Sequence, residues 1–136
     1  MRVSAKVDYA LRAMAELAAA VQLPVTSERL ATAQAIPPKF LENIMLELRH
    51  AGLVTSRRGA EGGYQLARSA DEISVADVIR AVEGPIATVR GARPEDVSYD
   101  GAAAALQGVW IDLRAAMRGV LEQTTLAELV SRAGRA

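Results

Sequence analysis

The chain has 136 residues, 51% of them hydrophobic and 4% aromatic, with 16 basic and 16 acidic side chains and a net charge of zero. That length supports one domain with a core plus a further element, and the balanced charge argues against a protein that is basic all over. The absence of cysteine excludes disulfides, thiolate metal sites and cysteine-ligated iron–sulfur clusters, and the lone histidine, His50, leaves no ordinary zinc site.

Alanine, leucine and valine dominate, which points to a mostly helical protein. No apolar run is long enough to span a bilayer, and Met1 leads into a mixed pattern without a signal peptide, so a cytoplasmic protein with no membrane partner is expected. The halves differ in charge. Residues 1–68 hold nine Lys/Arg and six Asp/Glu, a balance of +3; residues 69–136 hold seven and ten, a balance of −3. A basic first half suits a polyanion.

In chain order, "VSAKVDYALRAMAELAAAV" places Val3, Val7, Leu11, Met14, Ala18 and Val21 on one helical stripe, with Ser4 as N-cap and Pro24 as the stop. Thr26 and Ser27 are cap candidates for a short second helix through "ERLATAQ". Pro37 and Pro38 suit the start of a third helix, whose Leu41, Ile44, Met45 and Leu48 recur at i, i+3, i+4 and i+7 before Gly52 ends it. "LVTSR" and "YQLAR" alternate as half-buried strands around a glycine-rich loop. Ser74 with Asp77 reads as a capping box for a fourth helix that stops at "EGP". Residues 86–100 show no period and read as a linker or loop. A long helix from Ala102 carries Leu106, Trp110, Leu113, Met117 and Val120, with Val109 beside them. Thr125 with Glu128 opens a short last helix.

The order of three helices and a two-stranded hairpin predicts a mainly α protein with a small β wing, a winged helix-turn-helix. The expected division is a DNA-binding domain over 1–84, a linker over 85–101, and a dimerisation helix with a C-terminal helix over 102–136. In such a head the third helix lies in the major groove. Opposite its buried stripe it presents Lys39, Asn43, Leu46 and His50, with Glu42 at the side and Arg49 nearer the DNA backbone. Asn suits adenine, Glu suits cytosine N4, and Lys suits guanine or phosphate. Each residue alone could be an ordinary solvated side chain.

The loop "TSRRGAEGGYQLAR" has two readings, a phosphate cradle and a wing tip. A phosphate cradle needs its glycines directly before a helix, usually with a Lys-Ser/Thr ending; here they precede a strand pattern. The wing explains the composition better. Glycine permits positive φ at the turn and close approach to phosphates. Arg58 is assigned to a minor groove and Arg57 to a phosphate. Ser27 and Gly59 join the DNA-contact candidates.

The stripe of the long helix could pack on its own domain or pair with the same helix of a second subunit. Half-sites one helical turn apart favour the pair. Its interface candidates are Leu106, Val109, Trp110, Leu113, Met117 and Val120.

"MRVSAKVDYALRAMAELA", "IPPKFLENIMLELRHAGLVTSRRGAEGGYQLAR" and "ISVADVIRAVEG" resemble successive signatures of the IscR/NsrR/CymR family of bacterial transcription regulators. The resemblance implies a homodimer that binds pseudo-palindromic double-stranded operator DNA, usually as a repressor. It implies base reading by Pro38, Lys39, Phe40, Glu42 and Asn43, a wing arginine at Arg58, and backbone contacts from Ser4 and Lys6. Many members hold an iron–sulfur cluster through three cysteines ahead of the dimerisation helix. The corresponding stretch, "IATVRGARPEDVSYDGAAAAL", has neither cysteine nor histidine, so no cofactor is expected. An unidentified small-molecule effector stays open, as do another protein or no signal at all. Arg90, Arg93 and Tyr99 are candidates for an anion pocket or plain surface residues. The rival function is a winged-helix interaction module that has lost DNA binding; Arg57, Arg58 and Lys39 argue against it. An enzyme finds no support, for want of a nucleophile–base pair, a metal set or a cofactor loop.

Overall fold

Ser4 begins the first helix. Its hydroxyl accepts a 3.1 Å hydrogen bond from the Val7 amide, and α1 runs Ala5–Ala19 in the computed structural model, which describes residues 1–135. The buried face of α1 is Val7, Ala10, Ala13, Met14 and Leu17. It is rotated from the predicted stripe: Leu11 and Ala18 are only partly covered, while Val3 and Val21 lie outside the helix, 76% and 97% exposed. Alanine explains the shift, because small side chains at 10 and 13 let neighbouring helices approach closely.

Thr26, not Ser27, caps the second helix, α2 (Ser27–Gln34), accepting from the Arg29 amide at 3.2 Å. The third, α3 (Pro38–His50), buries Leu41, Ile44, Met45 and Leu48 as predicted. Each such burial is worth about 1.5–3 kcal/mol against an exposed side chain. Gly52, at φ +77°, ends α3 in a Schellman arrangement: its amide bonds Arg49 O and the Leu53 amide bonds Leu48 O, both at 3.0 Å.

Two antiparallel strands follow, β1 (Val54–Arg57) and β2 (Gly63–Leu66), paired Val54↔Leu66 through Arg57↔Gly63. The wing is pinned to the chain before α2, where Val25 and Tyr64 exchange backbone hydrogen bonds of 2.8 and 2.7 Å. The Ser74–Asp77 capping box opens α4 (Val75–Glu83) in both directions, at 2.9 and 3.0 Å.

The linker departs most from expectation. It is a folded segment with a tight turn closed by Val89 and Ala92, a 3-10 turn at Pro94–Asp96, and buried Ile86, Pro94 and Val97. The long helix, α5, spans Leu106–Leu121, four residues later than predicted, because Gly101–Ala103 closes as a separate 3-10 turn. One face of α5 holds the linker. Gln107 Nε2 donates to the Val97 carbonyl at 2.7 Å, Trp110 Nε1 donates to Tyr99 Oη at 2.9 Å, and Arg114 pairs with Glu95 at 2.6 Å. The last helix, α6 (Leu126–Arg135), returns to α1; Thr125 Oγ1 accepts from the Glu128 amide, and Leu126 is fully buried. One core joins α1–α4, the base of the wing and Leu126, and among the described residues it contains no fully buried polar side chain.

Candidate nucleic-acid interface

The hydrophobic stripe of α3 faces the core, which turns its other side outward. Pro38, Lys39, Phe40, Glu42, Asn43, Leu46, Arg49 and His50 are all exposed. The outward face has two flanks. On one, Arg49 Nη1 donates to Ser56 Oγ of β1 at 3.2 Å, fixing the end of α3 against the wing. On the other, the Phe40 ring meets Tyr9 of α1 edge to face, with centroids 5.4 Å apart, and the Arg12 guanidinium lies 5.1 Å from the Tyr9 ring. Lys6 Nζ reaches both carboxylate oxygens of Glu47 at 2.8 Å. So the predicted helix-one contacts are occupied within the protein: Lys6 is spent on an ion pair to α3, and Ser4 caps its own helix.

Arg57, Arg58 and Gly59 form the exposed wing end. With Ser27 and Arg49 they border a notch of about 360 Å³ between the start of α2, the end of α3 and the hairpin. Five candidates from distant parts of the sequence thus converge on one concave, arginine-rich surface beside the positive end of α2. Thr26, Ser56 and Tyr64 line it too and were not among the DNA-contact candidates read from sequence. Their signal is tertiary, since the Val25–Tyr64 bridge and the Arg49–Ser56 hydrogen bond bring the hairpin against α2 and α3.

The glycines serve the wing itself. An added Cβ at Gly62 would sit 2.4 Å from Arg57 O, and one at Gly63 would sit 2.5 Å from Val25 O. Only Gly59, at φ +102° with open space around it, fits a role in approaching a ligand.

The three anion-pocket candidates meet different partners. The Arg93 guanidinium bonds Asp96 at 2.8 Å, and that bond, with the nearby Asp96 and Glu95 charges, raises its pKa. Tyr99 is engaged by Trp110, and Arg90 lies exposed at its turn, where it borders a cavity of about 330 Å³ with Trp110 and Leu113. The hydrogen bond from Arg114 holds the Glu95 carboxyl below its usual range. Among the described residues no group of three or more His, Cys, Asp or Glu is placed to hold a metal ion.

An outward-facing third helix, a pinned hairpin with paired arginines and a helix-turn-helix core define a winged helix-turn-helix, the fold of a DNA-binding transcription regulator. Residues 3–132 match the Rrf2 family, described as an iron-dependent transcriptional regulator, and the chain belongs to that family as a cysteine-free member. A Mycobacterium tuberculosis (strain H37Rv) protein named as an HTH-type transcriptional regulator is 53% identical over 130 residues, 95% of this chain and 81% of that protein. The structure of CymR, the global cysteine regulator of B. subtilis, is 38% identical with a TM-score of 0.82, covering 97% of this chain and 98% of that one. IscR of T. potens is 34% identical with a TM-score of 0.80, covering 98% and 88%. The relatives are named as regulators, a non-enzymatic class, and no described helix is long and apolar enough to cross a membrane.

Proposed function

We propose that the chain acts in the cytoplasm as a homodimeric repressor that binds a pseudo-palindromic operator without an iron–sulfur cluster. The observation that carries the dimer is α5. It has sixteen residues and none is buried within the single chain, yet Val109 and Val120 stand 52% and 66% exposed. A helix this apolar gains its stability by burying such a face against a partner. The seam runs along Val109, Ala116 and Val120, with Leu106, Leu113 and Met117 at its edge. Trp110 belongs more to its own linker than to the seam, given its bond to Tyr99.

Two copies related by a two-fold axis present two α3 faces and two wings, which is what paired half-sites require. Lys39, Glu42 and Asn43 read bases; Arg49 and Arg57 hold phosphates; Arg58 enters the minor groove. Repression follows where the operator overlaps the polymerase site.

The donor set does not fit the iron chemistry of the family's description. The stretch ahead of α5 offers Glu95, Asp96, Tyr99 and Asp100; Glu95 and Asp96 are committed to arginines and Tyr99 to Trp110. No effector is assigned.

The test combines sedimentation with operator binding. The wild type should sediment near twice 14.4 kDa and bind a duplex selected from a random pool. Val120→Glu puts a charge in the seam and should give a single subunit with much weaker specific binding. A wild-type monomer that still binds specifically would refute the paired reading.

A further inference from the structure

The large apolar side chains left exposed sort by place. Val109 and Val120 lie on α5, and Met1 and Val3 border a groove that Val120 shares. Val21 and Leu23 lie between α1 and α2, and Phe40 packs on Tyr9. Leu46 stands apart. It is 42% exposed in the middle of the outward face of α3. Glu42 and His50 lie one turn to either side, and Asn43 and Arg49 lie at i−3 and i+3, all polar.

A single exposed leucine is ordinary on a free surface. On a face that docks into DNA it loses its water and can neither donate nor accept a hydrogen bond. The major groove offers one apolar group, the C5-methyl of thymine. We propose that Leu46 reads a thymine methyl, one in each half-site, alongside the polar readout by Lys39, Glu42 and Asn43. The inference rests on α3 being the recognition helix. Leu46 is seven residues past Lys39, about 10 Å along the helix axis. Because a helix in the major groove runs obliquely to the DNA axis, its thymine lies about two base pairs from the base that Lys39 faces.

The test removes only the methyl. An operator selected by the wild type from a random duplex pool is remade with each thymine singly replaced by deoxyuridine. At one thymine per half-site the wild type should bind about fourfold more weakly, the worth of one buried methyl, and about fifteenfold when both are changed. Leu46→Ala should bind the thymine and deoxyuridine duplexes alike and should select operators with that position relaxed. Its dependence on salt should match the wild type, since no phosphate contact changes. Leu46 is exposed and alanine favours helix, so the variant folds. Specific wild-type binding that no deoxyuridine weakens, or a methyl effect that survives in Leu46→Ala, overturns the assignment and leaves the recognition helix standing. Absence of any specific wild-type binding removes both.

Discussion

Replacing Gly63 by alanine tests how the wing is held. The new Cβ would lie 2.5 Å from Val25 O and 2.9 Å from Thr26 N, both backbone atoms that cannot swing aside. To reach an ordinary separation, the Val25 carbonyl must retreat by about 1 Å. The two hydrogen bonds between Val25 and Tyr64, 2.7 and 2.8 Å long, then stretch or break. Each contributes about 1 kcal/mol net. Holding a side chain at φ +145° adds about 1–2 kcal/mol. The sum is about 3–4 kcal/mol, a large share of a typical domain's 5–15 kcal/mol. Gly59→Ala supplies the contrast. It has positive φ but nothing within 4 Å, so it should cost only the conformational part, about 1–2 kcal/mol. Urea unfolding followed by circular dichroism, at one fixed protein concentration because a dimer's stability depends on it, measures both. Operator titration should show Gly63→Ala the weaker binder too, since its wing no longer sits beside α2. A Gly63→Ala protein that unfolds like the wild type, or one less damaged than Gly59→Ala, would show that this wing is not pinned through Val25.

Arg58→Ala should weaken operator binding, lower the slope of log affinity against log salt and relax any preference for A·T pairs at the wing. Lys6→Met should leave that salt slope unchanged, because Lys6 already pairs with Glu47, and should cost under about 1 kcal/mol of stability, as for partly exposed pairs; a reduced slope would return Lys6 to the DNA. Glu95 titrates below 4.5 because Arg114 bonds its charged form, so its contribution is present above that pH and is lost as pH falls through the lower folded value. Melting curves should therefore show the wild type above Glu95→Gln at pH 6, with the gap closing as the pH falls through the lowered carboxyl value; a constant gap would dissociate Glu95's charge from the pairing with Arg114 that holds the linker on α5.

The parts of the fold legible in sequence are those whose signal is local. In α3 four large apolar residues recur at i, i+3, i+4 and i+7 between a proline start and a glycine stop, so its buried set was readable residue by residue even with Phe40 and Leu46 left exposed. The capping box at Ser74 and Asp77 is likewise complete within four residues. In α1 the same method misplaces the face, because alanine is apolar on every side of the helix and the larger Leu11 draws the stripe toward itself. The core instead chose Ala10 and Ala13, which are fully buried. The linker has no period to read because its order comes from outside it: Gln107, Trp110 and Arg114 share a helix face that lies beyond the segment they hold. The face proposed to read DNA divides the same way. Its α3 residues follow from the helix period, whereas the ion pair of Lys6 was not foreseen, because a surface cation's partner, here Glu47 forty-one residues away, leaves no mark in the local pattern. Periodicity thus reports which side of an element turns away from water, but not which partner a surface charge has already found.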